Sequence, residues 1–215
     1  MIRLYNQDCM EALRLMKDNQ FDLAIVDPPY RDENQPTQDM RANGSMKSIE
    51  GRPTPDFFNE LRRVSRNQII WGANNFQLPQ FKGFVIWEKL SISENFTMSM
   101  AEIASISDNL GTTSKIFRLM PQGTKDDPRI HPTQKPVKLY EWLLSNYAKQ
   151  GDTILDTHLG SGSIALACHN LGFDLTGYEI DKDYFDAAKA RLEAHQRQQN
   201  LFYKCSCIRV YSGVR

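Results

Sequence analysis

The tetrapeptide Asp27-Pro28-Pro29-Tyr30 sets a carboxylate, two stiff imino acids and an aromatic ring at the end of an apolar run, residues 23–26. Neither proline has an N–H and each fixes its own φ, so a strand built on that run must stop near Asp27. Open α/β sheets bind ligands just outside the carboxyl ends of their strands. The tetrapeptide is therefore either a strand terminator or one wall of an active site. A second group lies far along the chain in "DTHLGSGS", residues 156–163. Its Gly160 and Gly162 allow a tight turn and a close approach of backbone to ligand, ahead of a helix with a positive N-terminus. Glu179 ends the next strand pattern, roughly 20 residues on, where an acid can accept hydrogen bonds from both hydroxyls of a ribose. Together these residues imply a cofactor that contains adenosine.

Strand and helix patterns alternate almost from end to end. Strands are expected at 2–5, 21–26, 68–72, 83–88, 101–107, 115–120, 152–158 and 174–180, and helices at 9–16, 55–66, 136–148, 162–172 and 181–199. Phe57, Phe58, Leu61 and Val64 share one helical face, Tyr140, Leu143, Leu144 and Tyr147 another, and Asp181 is the expected N-cap of the last helix. This alternation predicts an α/β fold: a single Rossmann-like domain over residues 1–202, with a mostly parallel twisted sheet and helices on both faces. Residues 203–215 form a tail with no role read from sequence. The polar stretches 31–55 and 108–130 are expected as mobile loops facing the ligand. Gly160-x-Gly162-x-x-Ala165 also satisfies the dinucleotide fingerprint literally. An NAD fold needs two mononucleotide-binding halves, however, and only one strand, one helix and a short tail follow this loop. S-adenosylmethionine is favoured over NAD.

Composition narrows the class without naming it. The 215 residues are 40% hydrophobic and 24% charged, enough for one domain with a real core. Lysine plus arginine equals aspartate plus glutamate, 26 of each, so any contact with nucleic acid must come from local patches. No apolar run reaches membrane-spanning length and the start "MIRLYNQDCM" lacks a leader pattern, so a cytoplasmic protein of a bacterium or phage, with no membrane partner, is expected. Cys9, Cys168, Cys205 and Cys207 show no paired zinc spacing, and no metal is expected.

Four motifs, in order "DPPY" (27–30), "HPTQKP" (131–136), "DTHLGSGS" (156–163) and "GYEIDKDYFDAAKARL" (177–192), resemble those of the S-adenosylmethionine-dependent DNA amino-methyltransferases. The order, with the tetrapeptide ahead of the cofactor loop, is similar to their permuted beta group. The resemblance implies a Rossmann-like methyltransferase acting on double-stranded DNA, with N6 of adenine favoured because "DPPY" is commoner among adenine enzymes. Cytosine N4 is the alternative base atom. A non-catalytic methyltransferase-like module that binds nucleic acid is the alternative class, and RNA an alternative substrate. The resemblance casts the Asp27 carboxylate and the Pro28 carbonyl as acceptors for the two amine protons. Pro29 stiffens that frame and Tyr30 stacks on a flipped base. It assigns Asp156, Gly160, Ser161 and Gly162 to the cofactor loop, Glu179 to the ribose, Lys135 to the methionine carboxylate and Asp8 to the cofactor adenine. Carbon-5 methylation would need a cysteine after a proline, and the sequence has no Pro-Cys dipeptide.

Thr157 and His158 stand where the family usually has proline and phenylalanine. His158 would replace the ring beside the cofactor, and titration near neutral pH would make activity pH-dependent. Between residues 115 and 138, Lys115, Arg118, Lys125, Arg129, Lys135 and Lys138 face only Asp126 and Asp127, a local excess open to phosphates. The chain has no room for the family's separate target-recognition domain. Sequence reading falls to the 31–55 and 108–130 loops, to a second subunit in a homodimer, or is lax. "QQNLF" (198–202) resembles the peptide that docks replication proteins onto the bacterial sliding clamp, although packing of Leu201 and Phe202 onto the domain is the favoured reading. Trp71 and Trp87 are expected in the core or cleft wall, and His169 and His195 on the surface.

Overall fold

The computed structural model describes residues 1–31, 33–34, 49–95, 98–121 and 128–206, with 33–34, 49–50 and 199–206 by backbone alone. Leu201, Phe202, Cys205 and Cys207, and residues 35–48 and 122–127, lie outside what is described by side chain. The chain opens with β1 (Ile2–Asn6), α1 (Cys9–Leu15) and β2 (Phe21–Val26), followed by the short pair β3 (Glu33–Asn34) and β4 (Ile49–Glu50). Then come α2 (Pro55–Val64), β5 (Ser65–Trp71), β6 (Gly83–Glu88), β7 (Ala101–Ile106) and β8 (Lys115–Arg118). The last third contains α3 (Val137–Tyr147), β9 (Thr153–Asp156), α4 (Ser163–Leu171), β10 (Asp174–Glu179) and α5 (Lys182–Ser206).

Eight strands form one sheet in the order β1-β10-β9-β2-β5-β7-β6-β8. β7 runs antiparallel to both neighbours and the remaining ladders of this sheet are parallel. A parallel return from β6 would need a crossover element. Here the chain folds straight back instead, with Lys89 N–H donating to the Met100 carbonyl at 2.8 Å. Alternation along the buried strands feeds two cores. Leu23 and Ile25 join Ile69, Trp71, Val85 and Trp87 beneath α3 and α4. Ala24 and Val26 join Ile70, Leu155 and the apolar faces of α1 and α2, including Leu13, Phe57, Leu61 and Val64.

Element ends follow local chemistry. Asp8 caps α1 by accepting from Met10 N–H at 2.9 Å. Asp181 caps α5 by accepting from Asp183 and Tyr184 N–H at 2.8 and 3.2 Å, as its position in the sequence predicts. α2 runs directly into β5 at Ser65, so the strand starts three residues earlier than position 68, the start expected from the apolar pattern. β8 falls on the strand expected at 115–120, within the longer stretch 108–130 also read as loop, and α5 continues to Ser206 across the expected domain end at 202.

The topology matters most at β2 and β9, which pair in parallel at Leu23 with Ile154 and Ala24 with Leu155. From this pair the chain builds outward in opposite directions, through β5 on one side and β10 and β1 on the other. Such a switch point leaves a crevice beyond the strand ends. Asp27 follows β2 and Asp156 ends β9, so the two sequence motifs emerge side by side. Leu143 on α3 is fully buried in the core on that side of the sheet. Leu143→Ala is expected to cost about 2–5 kcal/mol of stability through lost burial and a residual cavity, measured by urea titration.

Candidate active site

At the β2 end of the crevice, the Tyr30 hydroxyl lies 2.7 Å from Asp27 Oδ1 and 3.1 Å from Glu102 Oε2. The Tyr30 ring stands edge-on to Phe76, with centroids 6.1 Å apart. It also fills the space where a Cβ on Gly72 would sit, and Gly72 has φ +68°. Lys135 arrives from the loop before α3 and is 3% exposed. Its ammonium pairs with Asp27 Oδ2, sits 2.9 Å from Glu102 Oε2, and lies over the Trp71 and Tyr30 rings at 5.3 and 5.7 Å. Glu102 Oε1 is held by Lys89 at 2.6 Å.

Burial pushes the Asp27 carboxyl above the ordinary range, against the pull of Lys135. Burial acts the same way on Glu102, but Lys135 and Lys89 outweigh it and bring that carboxyl down to about 2. Burial also opposes the charge of Lys135, yet Asp27 and Glu102 together hold its ammonium above the ordinary lysine value.

The β9 end carries the glycine loop. Gly160, at φ +52°, donates its N–H to Glu179 Oε2 at 2.8 Å, and Glu179 Oε1 accepts from Asp181 N–H at 3.0 Å. A Cβ on Gly160 would meet His131 at 3.3 Å, and one on Gly162, at φ +71°, would meet Ala188 at 3.1 Å. The Ser161 carbonyl accepts from Arg191 at 2.7 Å. Asp156 accepts from His158 N–H at 3.0 Å, and burial lifts its carboxyl to about 8. His158 packs edge-on to Phe57 at 5.2 Å, with Nδ1 2.9 Å from the Thr157 hydroxyl. Burial lowers its pKa to about 4. Both ends open into one cavity of about 890 Å³, lined by Asp8, Asp27, Pro28, Pro29, Tyr30, Lys135, His158, Gly160, Ser161 and Glu179 among others.

Residues 70–190 match the family model described as DNA methylase, N6_N4_Mtase. The chain belongs to that family. The methylase is 41% identical to the type II methyltransferase M.HpaI of Haemophilus parainfluenzae, over 89% of this chain and 74% of that protein. Its fold is shared with M1.HpyAVI, solved as a complex with SAM, at a TM-score of 0.57 and 24% identity over 89% of this chain and all of that one. It is shared also with the cytosine-N4-specific PvuII DNA methyltransferase, at 0.63 and 12% identity over 93% and 91% of the two chains. Among the described residues, no helix is long and apolar enough to cross a membrane.

Three expectations change. The Lys135 ammonium, expected at the methionine carboxylate, is held by Asp27 and Glu102 while its side chain lines the cavity. For the same reason it leaves the group of cations open to phosphates. Of that group, Arg118 pairs with Glu88 at 2.8 Å and Lys115 donates to Asn146 at 2.8 Å, while Arg129 lines the cavity. His158 is a neutral ring near pH 7 and does not titrate there. Gly162 is buried away from the cavity wall and serves the turn into α4.

Sequence reasoning missed Glu102, Lys89, His131, Phe76 and Ile180. No spacing links Glu102 to Asp27, since only the reversed direction of β7 brings it there. Ile180, 70% exposed directly after Glu179, was legible as an apolar residue past a strand end.

Two outcomes are expected from this geometry. Gly72→Ala strains a positive-φ position by about 1 kcal/mol or more and drives the Tyr30 ring from its seat. DNA methyl transfer should fall at least tenfold with only a small shift in melting temperature. Asp156 has a folded pKa raised to about 8 from 3.8. A raised carboxyl contributes its full stability below its unfolded pKa and loses it as pH rises towards the folded one. Asp156→Asn should therefore gain stability relative to the parent chain as pH rises from 4 to 8, in paired urea titrations.

Proposed function

We propose that the methylase transfers a methyl group from S-adenosylmethionine to N6 of adenine in double-stranded DNA, with the target base turned out of the duplex. The observation that carries this reading is one cavity in which Asp27 and Tyr30 face the Gly160 loop and Glu179. When bound, S-adenosylmethionine supplies an electrophilic methyl on a sulfonium. The residues present fit it. Each Glu179 oxygen holds one backbone N–H and keeps further acceptor capacity for a ribose diol. Gly160 leaves the loop free of a side chain, Ile180 offers an apolar wall and Asp8 an acceptor for the adenine of the cofactor.

The lone pair of an exocyclic amine is delocalised into its ring, which makes it a poor nucleophile. Asp27 and the Pro28 carbonyl accept hydrogen bonds from its two N–H groups and so turn the lone pair outward. Pro28 and Pro29 fix φ at successive residues, so that carbonyl needs little rearrangement during reaction. Tyr30, seated against Gly72 and Phe76, stacks on the base. Transfer is direct, with no covalent enzyme intermediate. Arg129, at the cavity wall, would contact the phosphates flanking the flipped nucleotide. Adenine is preferred to cytosine on the tetrapeptide itself, since the shared fold also serves a cytosine-N4-specific enzyme.

Labelled S-adenosylmethionine, unmethylated bacterial DNA and nucleoside analysis test the reading. N6-methyladenine is expected, falling at least about 100-fold in Asp27→Ala. N4-methylcytosine lost in the same variant would keep the site and replace the base. Label confined to RNA would replace the substrate.

A further inference from the structure

Glu102 is bound into the site through the same donors that occupy Asp27. The Tyr30 hydroxyl lies 2.7 Å from Asp27 Oδ1 and 3.1 Å from Glu102 Oε2. The Lys135 ammonium pairs with Asp27 Oδ2 and lies 2.9 Å from that same Glu102 oxygen. One hydroxyl proton can serve only one carboxylate at a time, and an ammonium bends towards whichever acceptor is stronger. As they stand, both oxygens of Asp27 are engaged, one by a cation. Each oxygen keeps a further lone pair, but the ammonium on Oδ2 draws down the negative charge and so weakens Asp27 as an acceptor for a neutral amine. Lys89 holds the outer oxygen of Glu102 at 2.6 Å and leaves its inner oxygen facing Tyr30 and Lys135.

We propose that Glu102 is a positioning residue for methyl transfer: it is the second acceptor that takes the Tyr30 hydroxyl and the Lys135 ammonium when the target amine engages Asp27. The inference rests on the role of Asp27 proposed above. Two ammoniums and two carboxylates balance, so the exchange shifts hydrogen bonds without leaving a buried net charge. The other charged or titratable groups that face this cluster are Arg129 beside Glu102, Asp156 beside Asp27, His131 beside Lys135, and the Tyr140 hydroxyl. None of these is held by both carboxylates in the hydrogen bonds and ion pairs described.

Glu102→Gln keeps the shape and removes the charge. Lys135 should then stay on Asp27, so kcat should fall about 10- to 100-fold while KM for S-adenosylmethionine changes less than twofold. The acid limb of the kcat profile should move to lower pH, because Asp27 loses a neighbouring negative charge and keeps its cation. Glu102→Gln combined with Lys89→Met restores charge balance and should fold like the parent with the same defect. A folded variant with parental kcat and an unmoved limb overturns the proposal. A fall in kcat without the pH shift also overturns it, since mere loosening would do that. Failure of both variants to fold overturns it as well, by making Glu102 a structural strut. The parent chain and Asp27→Ala run alongside separate the two levels. An inactive parent, or an active Asp27→Ala, overturns the proposed function and this inference together. An active parent lost in Asp27→Ala retains the function whatever Glu102 does.

Discussion

An ammonium buried as deeply as that of Lys135 has almost no water to carry its charge, and desolvation at that depth costs several kcal/mol unless carboxylates replace the solvent. Asp27 and Glu102 are those carboxylates, one at the end of β2 and the other on β7. The pairing draws three separated parts of the chain to one point: the strand that ends in the tetrapeptide, the reversed strand of the sheet, and the loop that leads into α3. Removing Lys135 would strip Asp27 of its cation, whereas removing one carboxylate would leave the ammonium to the other alone. The β2 end of the crevice is therefore organised by charge balance, with Trp71 and Tyr30 adding ring faces to the same cation.

The same loop reaches the β9 end. His131, four residues before Lys135, lies against Gly160 and stands edge-on to Tyr184 at 4.4 Å. Burial keeps its ring neutral near pH 7, with a pKa of about 4, so it adds no positive charge beside Lys135. The glycine loop is pinned on its other side by Glu179, which accepts the Gly160 N–H. "HPTQKP" is thus a tie between the two halves of the cavity, with a neutral ring at one end and an ion pair at the other. The methylase places both motifs at the β2–β9 switch point, where a sheet built outward in two directions leaves a crevice.

Much of this was legible residue by residue. The strand at 83–88 and the helix face of Tyr140, Leu143, Leu144 and Tyr147 followed from periodicity, because each residue's burial depends on its own position in a repeat. The Asp181 cap followed from a side chain bonding to backbone two and three residues on. Boundaries were less legible where neighbours decided them. Ser65 and Arg66 join β5 through pairing with β2, not through an apolar pattern of their own.

The sequence by itself determined the local and chemical content: the α/β alternation, the strand that must stop at Asp27, the glycine turn, the acid at Glu179 and the family those motifs belong to. Each depends on residues close together in the chain, where steric and hydrogen-bonding rules act without knowledge of the fold. Only the tertiary structure decided which charges meet. It turned β7 around and so delivered Glu102, paired Lys135 with Asp27 and Glu102, and buried His158 until it no longer titrates near neutral pH. Ion pairing and desolvation depend on distance through space and depth below the surface, and neither quantity is written in the spacing of residues along the chain.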